Sequence, residues 1–175
     1  MKKNLRNLLQ LLSVLIALAL IAPINAQGQA KPNFAGTWTF NAEKSTLPQG
    51  GPGGGGGGGF GGGRMGGGDF TVTQDANTLT QVREGGPNGS MSTKYTLDGK
   101  ETTNSMGFGD SKSTATWSAD GKKLTIVTKM DFNGNEFTTT AVWSLVDANT
   151  LAIESTRPGR DGGEPTTTKM VYDKK

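Results

Sequence analysis

Few residues in this chain are equipped for bond-making chemistry. Among 175 residues there is no His and no Cys. That removes the commonest general base, the thiol nucleophile and the imidazole and thiolate metal ligands, and it excludes disulfides. Carboxylates stand singly at Glu84, Asp110, Glu136, Glu154 and Glu164, whereas carboxylate acid–base catalysis needs a pair facing each other across a cleft. Asp69, Asp75, Asp98, Asp120, Asp131, Asp147 and Asp161 fall at turns or strand ends, where hydrogen bonding to nearby backbone explains them. There is no G-x-S-x-G, no zinc-ligand spacing and no complete calcium loop. The expectation is a non-catalytic protein with no catalytic residue, no metal and no cofactor.

The chemistry that remains is binding by aromatic and hydroxyl-bearing side chains. Trp38, Gln81, Tyr95, Trp117, Thr128 and Trp143 all fall on the apolar phase of alternating segments, as does Thr93. Projected inward they offer aromatic surface with a few polar groups, the usual lining of a small-molecule site. The same residues would equally suit a solidly packed core, since small barrel interiors are often filled by their own side chains. Both outcomes stay open at the level of sequence.

The elements that must position these residues read as strands. Phe70 and Val72 alternate with Thr71 and Thr73; Met91, Thr93, Tyr95 and Leu97 alternate with Ser92, Lys94 and Thr96. Leu124, Ile126, Thr128 and Met130 alternate with Thr125, Val127 and Lys129, and similar runs cover 136–145, 150–156 and 166–173. One apolar and one Thr/Lys/Ser face marks antiparallel strands buried on one side. Turn pairs such as Asp98-Gly99, Asp120-Gly121 and Asn133-Gly134 separate them at short intervals, so neighbours in sequence should pair as a meander. The reading is all-β: a single antiparallel up-and-down barrel of eight or nine strands, with closure removing the sheet edges. In it 101–104 and 112–118 form one interrupted strand. The intervening segment, Asn104 to Asp110, is then a bulge or, through Met106 and Phe108, a lid at the barrel mouth.

Flanking segments set the compartment and the domain plan. Residues 1–26 read as a signal peptide: Lys2, Lys3 and Arg6 precede the apolar stretch Leu8–Ala22, with Pro23 after it and Ala26 at the cleavage point. The stretch is shorter than the roughly 20 residues needed to span a bilayer, so no transmembrane span is expected once it is removed. The chain carries 18 Lys and Arg against 15 Asp and Glu; the three leader cations account for that excess. The mature chain is near neutral, and no nucleic-acid partner is implied. Residues 27–49 hold the mature N-terminus and first strand, and 69–175 the remainder of the barrel. Between them, 50–68 is a Gly-rich tract in which fifteen of nineteen residues are Gly. With almost no side chain to bury, it reads as a disordered loop. Phe60, Arg64 and Met65 interrupt it and offer contact points for a protein partner.

Phe34-x-Gly36-x-Trp38, continued by Asn41-x-x-Lys44-Ser45, resembles the opening of secreted bacterial lipocalin-like (calycin-type) β-barrel proteins. Val142-Trp-Ser…Leu151-x-Ile153 and the closing Lys169-x-Val-Tyr-Asp-Lys174 are similar to the same group, so the resemblance covers most of 33–174 apart from the Gly tract. It implies that Trp38, in a motif with Gly36, closes the barrel floor and that an Arg from a late strand, for which Arg157 is the match, packs across Trp38. The chain departs from lipocalins in lacking an N-terminal helix, a C-terminal helix and disulfides. The expected function is a periplasmic or secreted binding module, in a Gram-negative envelope, for a small apolar or amphipathic molecule, and monomeric. The alternative is an envelope interaction or structural module with a filled barrel and no small ligand.

Overall fold

The computed structural model describes residues 30–46, 68–86, 89–106, 109–132, 134–159 and 163–175. The expected signal peptide, the Gly tract up to residue 67 with Phe60, Arg64 and Met65, and Phe108 lie outside the described residues. Every regular element described is a strand: β1 (Gly36–Thr46), β2 (Phe70–Gln74), β3 (Thr78–Gly86), β4 (Gly89–Thr96), β5 (Glu101–Ser105), β6 (Asp110–Trp117), β7 (Lys123–Phe132), β8 (Asn135–Asp147), β9 (Thr150–Arg157) and β10 (Thr166–Lys174).

These strands form one antiparallel sheet in the order β4-β3-β2-β1-β10-β9-β8-β7-β6-β5. Consecutive strands pair, except β4 with β5, and the first strand also pairs with the last through Trp38↔Lys174 and Phe40↔Tyr172. The sheet thereby curls into a nearly closed barrel. The strand number is ten rather than eight or nine. The difference lies at 101–118, where β5 and β6 are separate partners in register from Glu101↔Thr114 to Ser105↔Asp110. Met106 N donates to Gly109 O at 2.9 Å, which closes a β5–β6 hairpin in place of the expected bulge; the lid reading turns on Phe108, outside the described residues.

One seam lacks a backbone ladder. Between β4 and β5, side chains take the place of peptides. Lys94 N donates to Asn104 Oδ1 (2.8 Å), Asn104 Nδ2 donates to Lys94 O (2.9 Å), and Thr96 N donates to Thr102 Oγ1 (3.2 Å). A carboxamide carries one donor and one acceptor in the geometry of a peptide, so Asn104 reproduces one rung.

The two barrel ends differ. The floor end carries the N-terminal segment, the C-terminus and the turns at 75–77, 97–100, 118–122 and 147–149. Its turns are held by aspartates: Asp75 Oδ1 accepts from Asn77 N and Thr78 N, Asp120 Oδ1 from Lys122 N, and Asp147 Oδ1 from Asn149 N. At Asp98-Gly99 the glycine has φ 80°, a conformation that the missing Cβ makes cheap. The opposite end, the mouth, carries the connections β1–β2, β3–β4, β5–β6, β7–β8 and β9–β10.

Candidate functional site

The floor is an aromatic plug. Phe34, upstream of β1, is fully buried. Its ring stacks on Trp117 (centroids 5.9 Å, 5° between planes) and meets Trp143 edge-on at 5.7 Å. Phe70 packs on Tyr172 at 4.8 Å and on Trp143 at 5.9 Å. Hydrogen bonds pin the plug: Trp38 Nε1 donates to Phe34 O at 2.8 Å, Phe34 N to Gln74 Oε1 at 2.9 Å and Gln74 Nε2 to Pro32 O at 3.1 Å. Offset and edge-on pairs of this kind add to the large area that each ring buries. The lower half of the barrel is therefore filled.

The cation across Trp38 is Lys174, whose Nζ lies 5.5 Å from the ring centroid. This corrects the assignment to Arg157. Arg157 pairs with Thr166 at the mouth end of β10, whereas Trp38 pairs with Lys174 at its floor end, eight residues away. At about 3.3 Å per residue that separation exceeds the reach of a side chain. Gly36 is part of the same corner. Its φ is 142°, and a Cβ there would stand 2.6 Å from Lys174 Cε.

Above the floor the inner face turns polar. Gln81, Thr93, Asn104, Ser111 and Ser113 are all buried. Ser113 Oγ lies 2.9 Å from Thr128 Oγ1 across the β6–β7 pair. Gln81, opposite Thr93, has a buried Nε2 with no hydrogen-bond partner among the described residues. Tyr95, diagonal to Gln81 on the same wall, is 9% exposed; burial pushes its phenol up to about 12, with the positive Arg83 acting in the opposite direction. Arg83 follows Gln81 on the inward phase of β3. Its guanidinium carbon lies 4.6 Å from the Phe70 ring centroid, and Nη1 donates to Gly68 O at 2.9 Å. Nearer the mouth, Phe40, Met91, Met130, Thr139, Ala141, Ser155 and Thr168 are only half-buried, and Phe137 is 48% exposed.

The structure thus divides the six candidate contacts. Trp38 and Trp143 belong to the sealed floor, and Trp117 closes it from below, beside a small open recess lined by Lys31, Asn33, Gln74, Asp75 and Leu97. Gln81, Tyr95 and Thr128 lie in the polar belt above. Sequence reasoning missed Arg83, although alternation from Leu79 through Gln81 places it inward; the apolar template passed over a cation. It also missed Ser111 and Ser113, which continue inward from Ala115 and Trp117. Among the described residues no group of three acidic side chains is placed to hold a metal ion. Five salt bridges are present among them, all between well-exposed side chains.

No family model matches this chain, and no curated protein matches it. Solved structures do resemble it. A secretary abundant heat soluble (SAHS) protein from Ramazzottius varieornatus superposes with a TM-score of 0.52 at 12% identity, covering 81% of this chain and 95% of its own. A zebrafish ileal bile acid-binding protein complexed with cholic acid gives 0.52 at 16% identity over 81% and 98%. Human cRBP IV gives 0.52 at 14% identity over 82% and 99%. At these identities the likeness is one of fold: a nearly closed antiparallel β-barrel of ten strands.

Proposed function

We propose that this chain is an exported, non-catalytic binding protein that holds a small apolar or amphipathic molecule in the upper half of its barrel. One observation carries the reading: the inner face grades from a sealed aromatic floor to a polar belt and then to a half-buried apolar mouth. The zebrafish structure of the same fold is complexed with cholic acid, which supports an amphipathic occupant for such a barrel. The leader-like residues 1–26 and the absence of Cys support export to a Gram-negative periplasm or beyond, and the protein is taken to act as a monomer.

Titration of the purified protein with amphiphiles of several classes, followed by Trp fluorescence and amide chemical shifts, tests this. Saturable shifts concentrated on β3, β4, β6 and β7 are expected. Saturation by no class, with no shift on those strands, would overturn the reading. The packed floor favours a second reading, an interaction module with no small ligand. Capture of the same envelope protein by the parent, and its loss on changing mouth residues, would favour that one.

A further inference from the structure

We infer that the open recess beneath the barrel floor is a second site, separate from the barrel interior, and that it takes a free α-amino acid with an apolar side chain. Three parts of the chain meet there: Lys31 and Asn33 of the N-terminal segment, the turn at Gln74–Ala76, and the pair Leu97 and Trp117. Its volume of about 330 Å³ stands at the small end of ligand sites, which run from about 300 to 1,000 Å³, so the occupant is compact. The walls are fixed before any ligand arrives. Gln74 clamps the N-terminal segment through Pro32 O and Phe34 N, and Asp75 holds its own turn through Asn77 N and Thr78 N. Leu97 N donates to Asn77 O at 2.7 Å, which ties one turn to the next. A preformed site loses little freedom when it is filled.

The lining carries one charge of each sign, and the two do not neutralise each other. Lys31 makes no ion pair among the described residues; its Nζ rests over the Trp117 ring, 5.4 Å from the centroid. Asp75 makes none either. Hydrogen bonds from Asn77 N and then from Thr78 hold its carboxyl below the usual carboxylate range, so it is ionised at neutral pH. Asn33 Oδ1 is taken by Ala35 N, which leaves its Nδ2 to donate. A cation and an amide donor on the N-terminal wall match a carboxylate, and the Asp75 carboxylate on the turn matches an ammonium. A ligand of one charge alone would meet its like on one of the two walls. The rest of the lining beside Gln74, whose amide is already committed at both ends, is apolar: Ala76, Leu97 and the half-buried Trp117 indole. That surface suits the side chain of a zwitterion such as leucine.

The test titrates the purified protein with three probes, leucine, leucinamide and N-acetyl-leucine, and follows amide and indole chemical shifts. Leucine is expected to give saturable shifts at Asn33, Ala76, Leu97 and Trp117 and none at Met91 or Thr139 near the mouth. Leucinamide lacks the carboxylate and N-acetyl-leucine lacks the ammonium, so each should bind roughly fivefold more weakly, the upper worth of an ion pair open to solvent. Lys31→Met should erase the preference for leucine over leucinamide, and Asp75→Asn the preference over N-acetyl-leucine. Equal binding of the three probes, no saturable shift at the floor with leucine, or an undiminished preference in Lys31→Met overturns the second site. None of these results bears on the barrel interior, which the amphiphile titration tests separately. If Asp75→Asn does not fold, the parent's ranking and Lys31→Met decide, since Lys31 is exposed and donates no hydrogen bond among the described residues.

Discussion

Gln81 and Trp38 show two opposite uses of a buried position. Trp38 is fully buried, its indole N–H is satisfied by Phe34 O, and its ring is capped by Lys174. Truncation to Ala removes a large aromatic from a filled floor and should cost about 3–5 kcal/mol, read from denaturant unfolding. Gln81 is buried with its amide N–H2 group unpartnered. Gln81→Leu replaces that group with an apolar side chain of similar size and should stabilise the protein by about 1 kcal/mol. The same variant should weaken binding of an amphiphile whose polar group accepts a hydrogen bond in the polar belt. A variant that melts higher and binds less is the signature of a site kept at the expense of stability; a variant that melts lower would place Gln81 among the structural polar groups.

At the scale of elements the weak seam is β4–β5. Its rungs come from Asn104 and Thr102 side chains instead of a peptide ladder. Asn104→Ala leaves the Lys94 N–H and C=O without these partners, and should cost about 1–3 kcal/mol. Amide exchange should accelerate first at Lys94 and Thr96, ahead of the β7–β8 and β9–β10 ladders. Asn104→Asp keeps an acceptor for Lys94 N but sets a carboxylate against Lys94 O, so it should be no milder than the alanine variant at neutral pH. Uniform exchange across the barrel in both variants would mean that the seam opens only with global unfolding.

For the whole molecule, the pH dependence follows from the aspartates. Asp98 is held at about 2, first by its hydrogen bond from the Lys100 side chain and then by the Lys100 backbone N–H. Asp75, Asp120 and Asp173 are lowered by hydrogen bonds from Asn77, Ser118 and Asn41 respectively, and Asp69 by one from Lys175. Groups with depressed folded-state values bind more protons when unfolded, so their contribution is present above the unfolded value of about 4 and is lost as pH falls through the folded values. Thermal melts should be nearly flat from about pH 8 to 5, since no His titrates there, and should drop between about pH 4 and 2. A step near pH 6 would contradict this. Deletion of residues 50–67, keeping Gly68 for Arg83, should leave the melting temperature unchanged or higher, because each halving of a loop lowers its closure cost by about 0.6 kcal/mol and glycine has no side chain to bury.

Much of this architecture is written locally, and the site is not. Alternation of period two in runs such as Leu124 to Met130 determines which side chains face inward, because adjacent residues of a strand point to opposite sides. Asp-Gly and Asn-Gly pairs determine where the chain reverses and therefore the meander. The absence of His and Cys determines which chemistries are missing. None of these signals carries register between distant strands. That the cation over Trp38 is Lys174 and not Arg157 depends on how β1 meets β10, more than a hundred residues later. That 101–118 is a hairpin rather than one broken strand depends on the pairing of Glu101 with Thr114. The unpartnered Nε2 of Gln81 and the Phe70 ring beneath Arg83 exist only once the barrel has closed. Sequence sets the inward face; tertiary structure alone decides which inward residues are packed and which are left for a ligand, because satisfaction of a buried group depends on neighbours that the chain brings from afar.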